Sequence, residues 1–166
     1  PYLPMVKATV EALKRLDAFA MIEVARLELT KFEARSLAAV ADEYNKWADT
    51  SITTLHLDHV PVIDEDNLEV DWKTLIADGI AQGFDSVMID GSRLPLDGNI
   101  NVTSEVVNMA HAEGVLVEAE LGAVMGHSSG PMPPYEELFK KQMGFTVPEE
   151  ASRFVKETNV DWLSVS

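Results

Sequence analysis

Thr53-Thr54-Leu55-His56-Leu57-Asp58-His59 is the stretch that decides the architecture. It begins β-branched and apolar, the composition of a strand covered on both faces, and finishes with His-Leu-Asp-His. Buried polar and charged groups are costly unless they are paired, bind a cation or move protons. A strand that changes character at its carboxyl end therefore places its polar residues where a site is built. In (β/α) barrels, the loops following the strands converge on that same face.

Reading outward, short apolar runs alternate with longer segments of helical spacing, the pattern of βα units around a parallel sheet. Upstream, Leu3, Val6, Val10 and Leu13 form one helix face, and Phe19 to Ala25 reads as a strand. A helix through Phe32, Leu37, Val40 and Tyr44 follows it. Downstream, Trp72, Leu75, Ile76 and Ile80 mark a helix that Gly83 terminates, and Ser86-Val87-Met88-Ile89-Asp90 is the next strand. A helix from about Val102 to Glu113, closed by Gly114, leads to the strand Val115 to Leu121. Residues 123–142, rich in Gly, Ser and Pro, form a long connection with a short helix at Tyr135 to Lys141. Thr146-Val147-Pro148-Glu149 has the form of a capping box opening a helix to about Thr158, and Trp162 to Val165 begins a fifth strand. Phe32, Trp72 and Phe154 are expected in the core.

This pattern is α/β, an incomplete (β/α)8 TIM barrel with about five βα units. A closed barrel takes about 250 residues, against 166 here. The expectation is one partial-barrel domain over residues 1–166, lacking the first strand and the last strands.

Composition narrows the function classes. Acidic residues outnumber basic ones 28 to 13, a net charge of −15, which disfavours nucleic acid and anionic membranes as partners. A phosphate would have to be held by local backbone N–H groups or a few basic side chains. With no cysteine, neither a disulfide framework nor a thiolate zinc site is available, so metal ligands must be His, Asp or Glu. No run approaches the roughly 18 apolar residues of a membrane span, and a cytoplasmic location is the expectation.

The candidate residues lie at strand ends: His56, Asp58 and His59; Asp90 before Gly91-Ser92; Glu118 and Glu120; and Glu23 in the earliest strand. Imidazole is a good zinc ligand and a carboxylate beside it can transfer a proton. The same residues also read as two hydrogen-bonded histidines at a strand end, and Asp90-Gly91-Ser92 as an ordinary turn. Glu118 and Glu120 share one strand face. His111, at a helix C-terminus, complements the dipole there. His127, in the Gly/Pro-rich connection, reads as a surface residue or a substrate contact. There is no Gly-x-Gly-x-x-Gly or phosphate-binding loop motif.

Leu55 to His59, Gly83 to Pro95, Val117 to Gly122, Phe145 to Ala151 and Asp161 to Val165 are similar, in order and separation, to consecutive signatures of the class II ketose-bisphosphate aldolases. The resemblance implies a zinc-dependent lyase of carbohydrate metabolism and glycolysis. Its reaction is reversible cleavage of a ketose 1,6-bisphosphate to dihydroxyacetone phosphate and an aldehyde. Zn2+ acts as Lewis acid on the ketose carbonyl and steadies the charge left when the carbon–carbon bond breaks. By resemblance His59 binds zinc, Asp58 transfers a proton near the nascent aldehyde, and His56 has a structural role. Asp90 and Glu120 match carboxylates that hold a second metal or organise the floor of the site. Gly126-His127-Ser128-Ser129-Gly130 stands where the family commonly has acidic residues, and His127 is a candidate acid or base. A phosphorylated sugar and a homo-oligomeric state are implied as partners. Further zinc histidines are expected beyond Ser166, so the 166 residues alone are expected to be inactive. Two alternatives stand beside this: a non-catalytic aldolase-like domain assembling through open sheet edges, and an aldolase-like enzyme with a different substrate.

Overall fold

Five short, largely apolar runs become five parallel strands in a computed structural model, which describes residues 2–32, 34–122 and 134–166. The strands are β1 (Ala20–Ala25), β2 (Thr53–Pro61), β3 (Ser86–Asp90), β4 (Leu116–Leu121) and β5 (Trp162–Val165), and they lie side by side in chain order. Sequential parallel neighbours require a crossover each time, and helices supply it. The helices are α1 (Met5–Leu16), α2 (Arg26–Thr30), α3 (Leu37–Trp47), α4 (Trp72–Ala81), α5 (Leu96–His111), α6 (Tyr135–Lys141) and α7 (Pro148–Thr158). The result is a half-barrel.

One face of the sheet is apolar and covered. Ile22 and Val24, Leu55 and Leu57, Val87 and Ile89, and Val117 and Ala119 occupy it, all buried. α4 packs on β2 and β3, and α5 on β3 and β4. The approach of α4 is close because Gly79 has no side chain: a Cβ there would lie 2.8 Å from Leu57 Cδ2. The opposite face, which corresponds to the barrel interior, carries Glu23, His56, Asp58, Asp90, Glu118 and Glu120.

At the amino ends of the strands, one device occurs twice. The Asp85 N–H donates to the Leu55 carbonyl (2.9 Å) while its carboxylate accepts the Leu55 N–H (2.7 Å). Asp161 does the same with Val117, at 3.1 and 2.8 Å. Each aspartate thus pins the strand that follows it to its neighbour, satisfying donors that would otherwise be unpaired.

Several local expectations need correction. Phe32 lies outside α3 and is 69% exposed, because the chain inserts α2 before Ser36 caps α3 through its Oγ; Trp72 and Phe154 are buried as expected. The Thr146 capping box does not form. Its hydroxyl donates to the Leu121 carbonyl instead, tying the start of α7 to the end of β4, and Val147 occupies the cap position with Pro148 in the first turn. α5 starts at Leu96, ahead of Val102, and its first turn becomes important to the site. The short helix at Tyr135–Lys141 is present, and no described helix is long and apolar enough to cross a membrane.

Candidate metal centre

Strict alternation along β2 would put Asp58 on the interior face and His59 on the helix-covered face. The structure does otherwise. Leu57 pairs with Val87 and Val60 with Ile89, so three steps on β2 match two on β3. Both Leu57 and Val60 are fully buried on the helix side, and the extra residue is absorbed by His59 in a left-handed conformation, φ 44°. This bulge swings His59 to the interior beside Asp58. A left-handed non-glycine residue costs about 1–2 kcal/mol, and such strain concentrates at functional sites.

His59 Nδ1 then lies 3.8 Å from Asp90 Oδ2 on β3 and 3.9 Å from Glu120 Oε2 on β4. The ligand atoms of the three residues fall within 4.8 Å of one another. These separations are too long for hydrogen bonds. They match the spacing of donors sharing one dication, about 3.3–4.3 Å for bonds of about 2.0–2.2 Å. One imidazole and two carboxylates also form a donor set suited to zinc or another divalent ion. The residues therefore fit a metal.

Charge is concentrated here. The Asp90 carboxylate beside it, above all, raises His59 to about 9 against the opposing effect of burial, with Asp58 and Glu120 adding to the rise. Burial, and then the Asp90 charge, raises Glu120 to about 7. Asp90 is itself depressed: burial works against its charge, but His59 and the Ser92 N–H, donating at 2.9 Å, outweigh it. Deeper in the interior, burial and the neighbouring Asp58 charge raise both Glu23 and Glu118.

His56 has a different environment. It is buried, its Nδ1 is 2.7 Å from Ser86 Oγ, and burial lowers its pKa, which keeps the ring neutral. Its Nε2 lies 3.6 Å from Glu118 Oε2 and has no hydrogen-bond partner among the described residues. Asp58 is half-buried and accepts no hydrogen bond among the described residues. His111 pairs with Asp161 (2.8 Å) at the opposite end of the strands, away from the cluster. His127 lies outside the described residues.

Asn99 is a positioning residue that sequence reading passed over. Buried in the first turn of α5, it donates from Nδ2 to the Glu120 carbonyl (2.9 Å) and accepts from Thr103 Oγ1 (3.2 Å). Gly91 makes room for it: a Cβ at Gly91 would lie 2.2 Å from Asn99 Oδ1. One amide side chain thus braces the residues following Asp90 against the backbone of Glu120. The available signal was a polar pair, Asn99 and Thr103, on an otherwise apolar helix face.

A cavity of about 390 Å³ opens over the carboxyl ends of all five strands, lined by His59, Asp90 and Glu120 together with Arg26, Arg93 and Ser164. That is the face on which barrel enzymes place their chemistry.

Comparison with known proteins gives a consistent result. A protein from Treponema pallidum named fructose-bisphosphate aldolase is 38% identical over 135 residues, 80% of this chain and 36% of its own length. One from Shouchella clausii named 6-phospho-5-dehydro-2-deoxy-D-gluconate aldolase is 41% identical over 112 residues, 68% of this chain and 32% of its own. Among solved structures, a putative fructose-1,6-biphosphate aldolase from Coccidioides immitis aligns with TM-score 0.68 and 27% identity, covering 97% of this chain and 51% of that one. The YdjI aldolase of Escherichia coli K12 shares the fold, with TM-score 0.71 at 22% identity over 98% of this chain and 51% of that one. The chain thus spans about a third of the length of these curated relatives and half of the solved ones. The family model for class II fructose-bisphosphate aldolase matches residues 2–166, and with a half-barrel that gathers His59, Asp90 and Glu120 at one mouth, this chain belongs to that family.

Proposed function

We propose that this chain is one partial-barrel domain of a zinc-dependent ketose-bisphosphate aldolase of carbohydrate metabolism, acting in the cytoplasm as a homo-oligomer. The reaction is reversible cleavage of a ketose 1,6-bisphosphate to dihydroxyacetone phosphate and an aldehyde. The observation that supports it best is the convergence of His59, Asp90 and Glu120 beside a half-buried Asp58.

In this reading His59 holds the catalytic zinc, while Asp90 and Glu120 complete the set or hold a second ion. When bound, the metal supplies Lewis-acid polarisation of the ketose carbonyl. Asp58 takes the proton of the hydroxyl whose oxygen becomes the aldehyde carbonyl, as the adjacent carbon–carbon bond breaks. The electron pair of that bond stays with the ketone fragment, which is then protonated at carbon; His127 is our candidate acid. Asp58 returns its proton in the condensation direction. Burial and the neighbouring Asp58 charge raise Glu23 and Glu118, which favours their neutral forms beside an anionic sugar.

The test is zinc-dependent release of dihydroxyacetone phosphate by the full-length protein carrying this sequence. Asp58→Asn should lower kcat by about 10²–10⁴-fold with zinc stoichiometry unchanged. Full activity in that variant, or activity that survives chelation, would remove the proposal. The names of the relatives differ in sugar, so fructose 1,6-bisphosphate is to be compared with the phosphorylated gluconate ketose.

A further inference from the structure

Two arginines stand on the rim of the cavity that contains the metal centre, in a protein of net charge −15. Arg26 directly follows β1, and Arg93 lies in the turn after β3. Both are held by one residue. Arg26 Nη2 is 3.3 Å from Asp64 Oδ2, while Arg93 Nη1 donates to the Asp64 carbonyl (2.8 Å) and to Asn67 Oδ1 (3.2 Å). Asp64 is buried and fixed in turn, because its Oδ1 accepts the N–H groups of Asp66 (3.0 Å) and Leu68 (2.9 Å).

The Asp64 carboxylate therefore pairs with Arg26, while Arg93 is held through the neutral Asp64 carbonyl and the Asn67 amide oxygen. On the same side, the Glu65 carboxylate is engaged by Lys31 at 2.6 Å. Each guanidinium has five N–H donors in a fixed fork suited to phosphate or carboxylate. Among the described residues, these bonds occupy a minority of them. The arginines are thus positioned, restrained and under-used, facing a space continuous with the metal centre.

Register gives the direction. Asp58, the proposed proton acceptor from the aldehyde half, pairs with Ala25, and Arg26 is the next residue. We infer that Arg26 and Arg93 form a clamp for the anionic group at the far end of the aldehyde half of the substrate. The inference rests on the aldolase reading. A phosphate and a carboxylate have the same recognition chemistry here. The clamp makes these two arginines specificity-determining residues: they select ketose phosphates with a second anion over those without one.

The experiment uses the full-length zinc-loaded protein. A ketose 1,6-bisphosphate is compared with the matching ketose 1-phosphate in the wild type, Arg26→Met, Arg93→Met and Arg26→Lys, with Lys7→Met as a charge-loss control on α1. Each Met variant should lower kcat/KM for the bisphosphate by about 10- to 100-fold, chiefly through KM, and leave the 1-phosphate within about twofold. Arg26→Lys should retain most of the preference, and Lys7→Met all of it. Equal losses on both substrates, or an unchanged preference, would overturn the clamp. Calorimetric titration with inorganic phosphate and with malonate supplies a readout independent of turnover. Phosphate binding lost in the double Met variant supports a phosphate end, and malonate binding lost there supports a carboxylate end. Titrations identical in wild type and double variant overturn the inference. A protein that cleaves neither ketose yet loses anion binding in the variants would sink the aldolase reading and leave the clamp standing.

Discussion

At the scale of single residues, the cluster of His59, Asp90 and Glu120 makes the metal-free protein sensitive to pH in a definite direction. His59 is raised to about 9, so its contribution is fully present below its ordinary value near 6.5 and lost as pH climbs through 9. Glu120 is raised to about 7, so the fold holds its proton more tightly than the unfolded chain does; the penalty for ionising it is absent below about 4.5 and complete above 7. Glu23 and Glu118 are shifted the same way. The metal-free protein should therefore lose stability steadily from about pH 5 to pH 9, read as a falling urea midpoint in the presence of chelator. Zinc should reverse the trend, since a ligand must shed its proton to bind, and metal affinity should rise over the same interval. A flat or rising midpoint without metal would contradict this picture of the cluster.

At the scale of elements, the two ends of the strands have separate duties, and substitutions should separate them. Gly91→Ala drives a methyl group into Asn99, which braces Glu120, so we expect a loss of about 1–3 kcal/mol together with weakened metal binding. Asp161→Ala strips the Val117 N–H of its acceptor at the other end, and should cost a similar amount of stability with metal affinity unchanged. Denaturant unfolding and zinc titration of both variants check the contrast; equal loss of metal affinity in the two would refute it. Much of this was legible beforehand. The short apolar and β-branched runs located all five strands, and Glu118 and Glu120 were expected on one face. The bulge at His59 was not legible, because an extra residue in a strand leaves no mark in the alternation that precedes it. Asn99 was missed because in sequence the polar pair Asn99 and Thr103 on an apolar helix face resembles ordinary solvated positions. Thr146 had the right residues for a cap, but a tertiary acceptor, the Leu121 carbonyl, outcompeted the local one. The guanidinium pair escaped notice because Arg26 and Arg93 are brought together only through Asp64, remote from both in sequence.

At the scale of the whole molecule, the half-barrel is an open sheet. β1 and β5 each have a neighbour on one side only among the described strands, so both present a row of unpaired backbone groups. The 166-residue polypeptide by itself should self-associate, with a sedimentation coefficient that grows with concentration; a monomer independent of concentration would count against this. The paired aspartates, Asp85 and Asp161, bear on how sequence variants of this protein sort. They lock the strands at the end remote from the cavity, so the chemistry is mounted on a frame whose fastenings are elsewhere. Damage at the fastenings should appear as less folded protein, each surviving molecule working at full rate. Damage at the cavity should appear as normal abundance with a changed rate or a changed choice of sugar. Measuring abundance and turnover together would therefore assign an unknown substitution to one end of the strands or the other, with no structure of the variant needed.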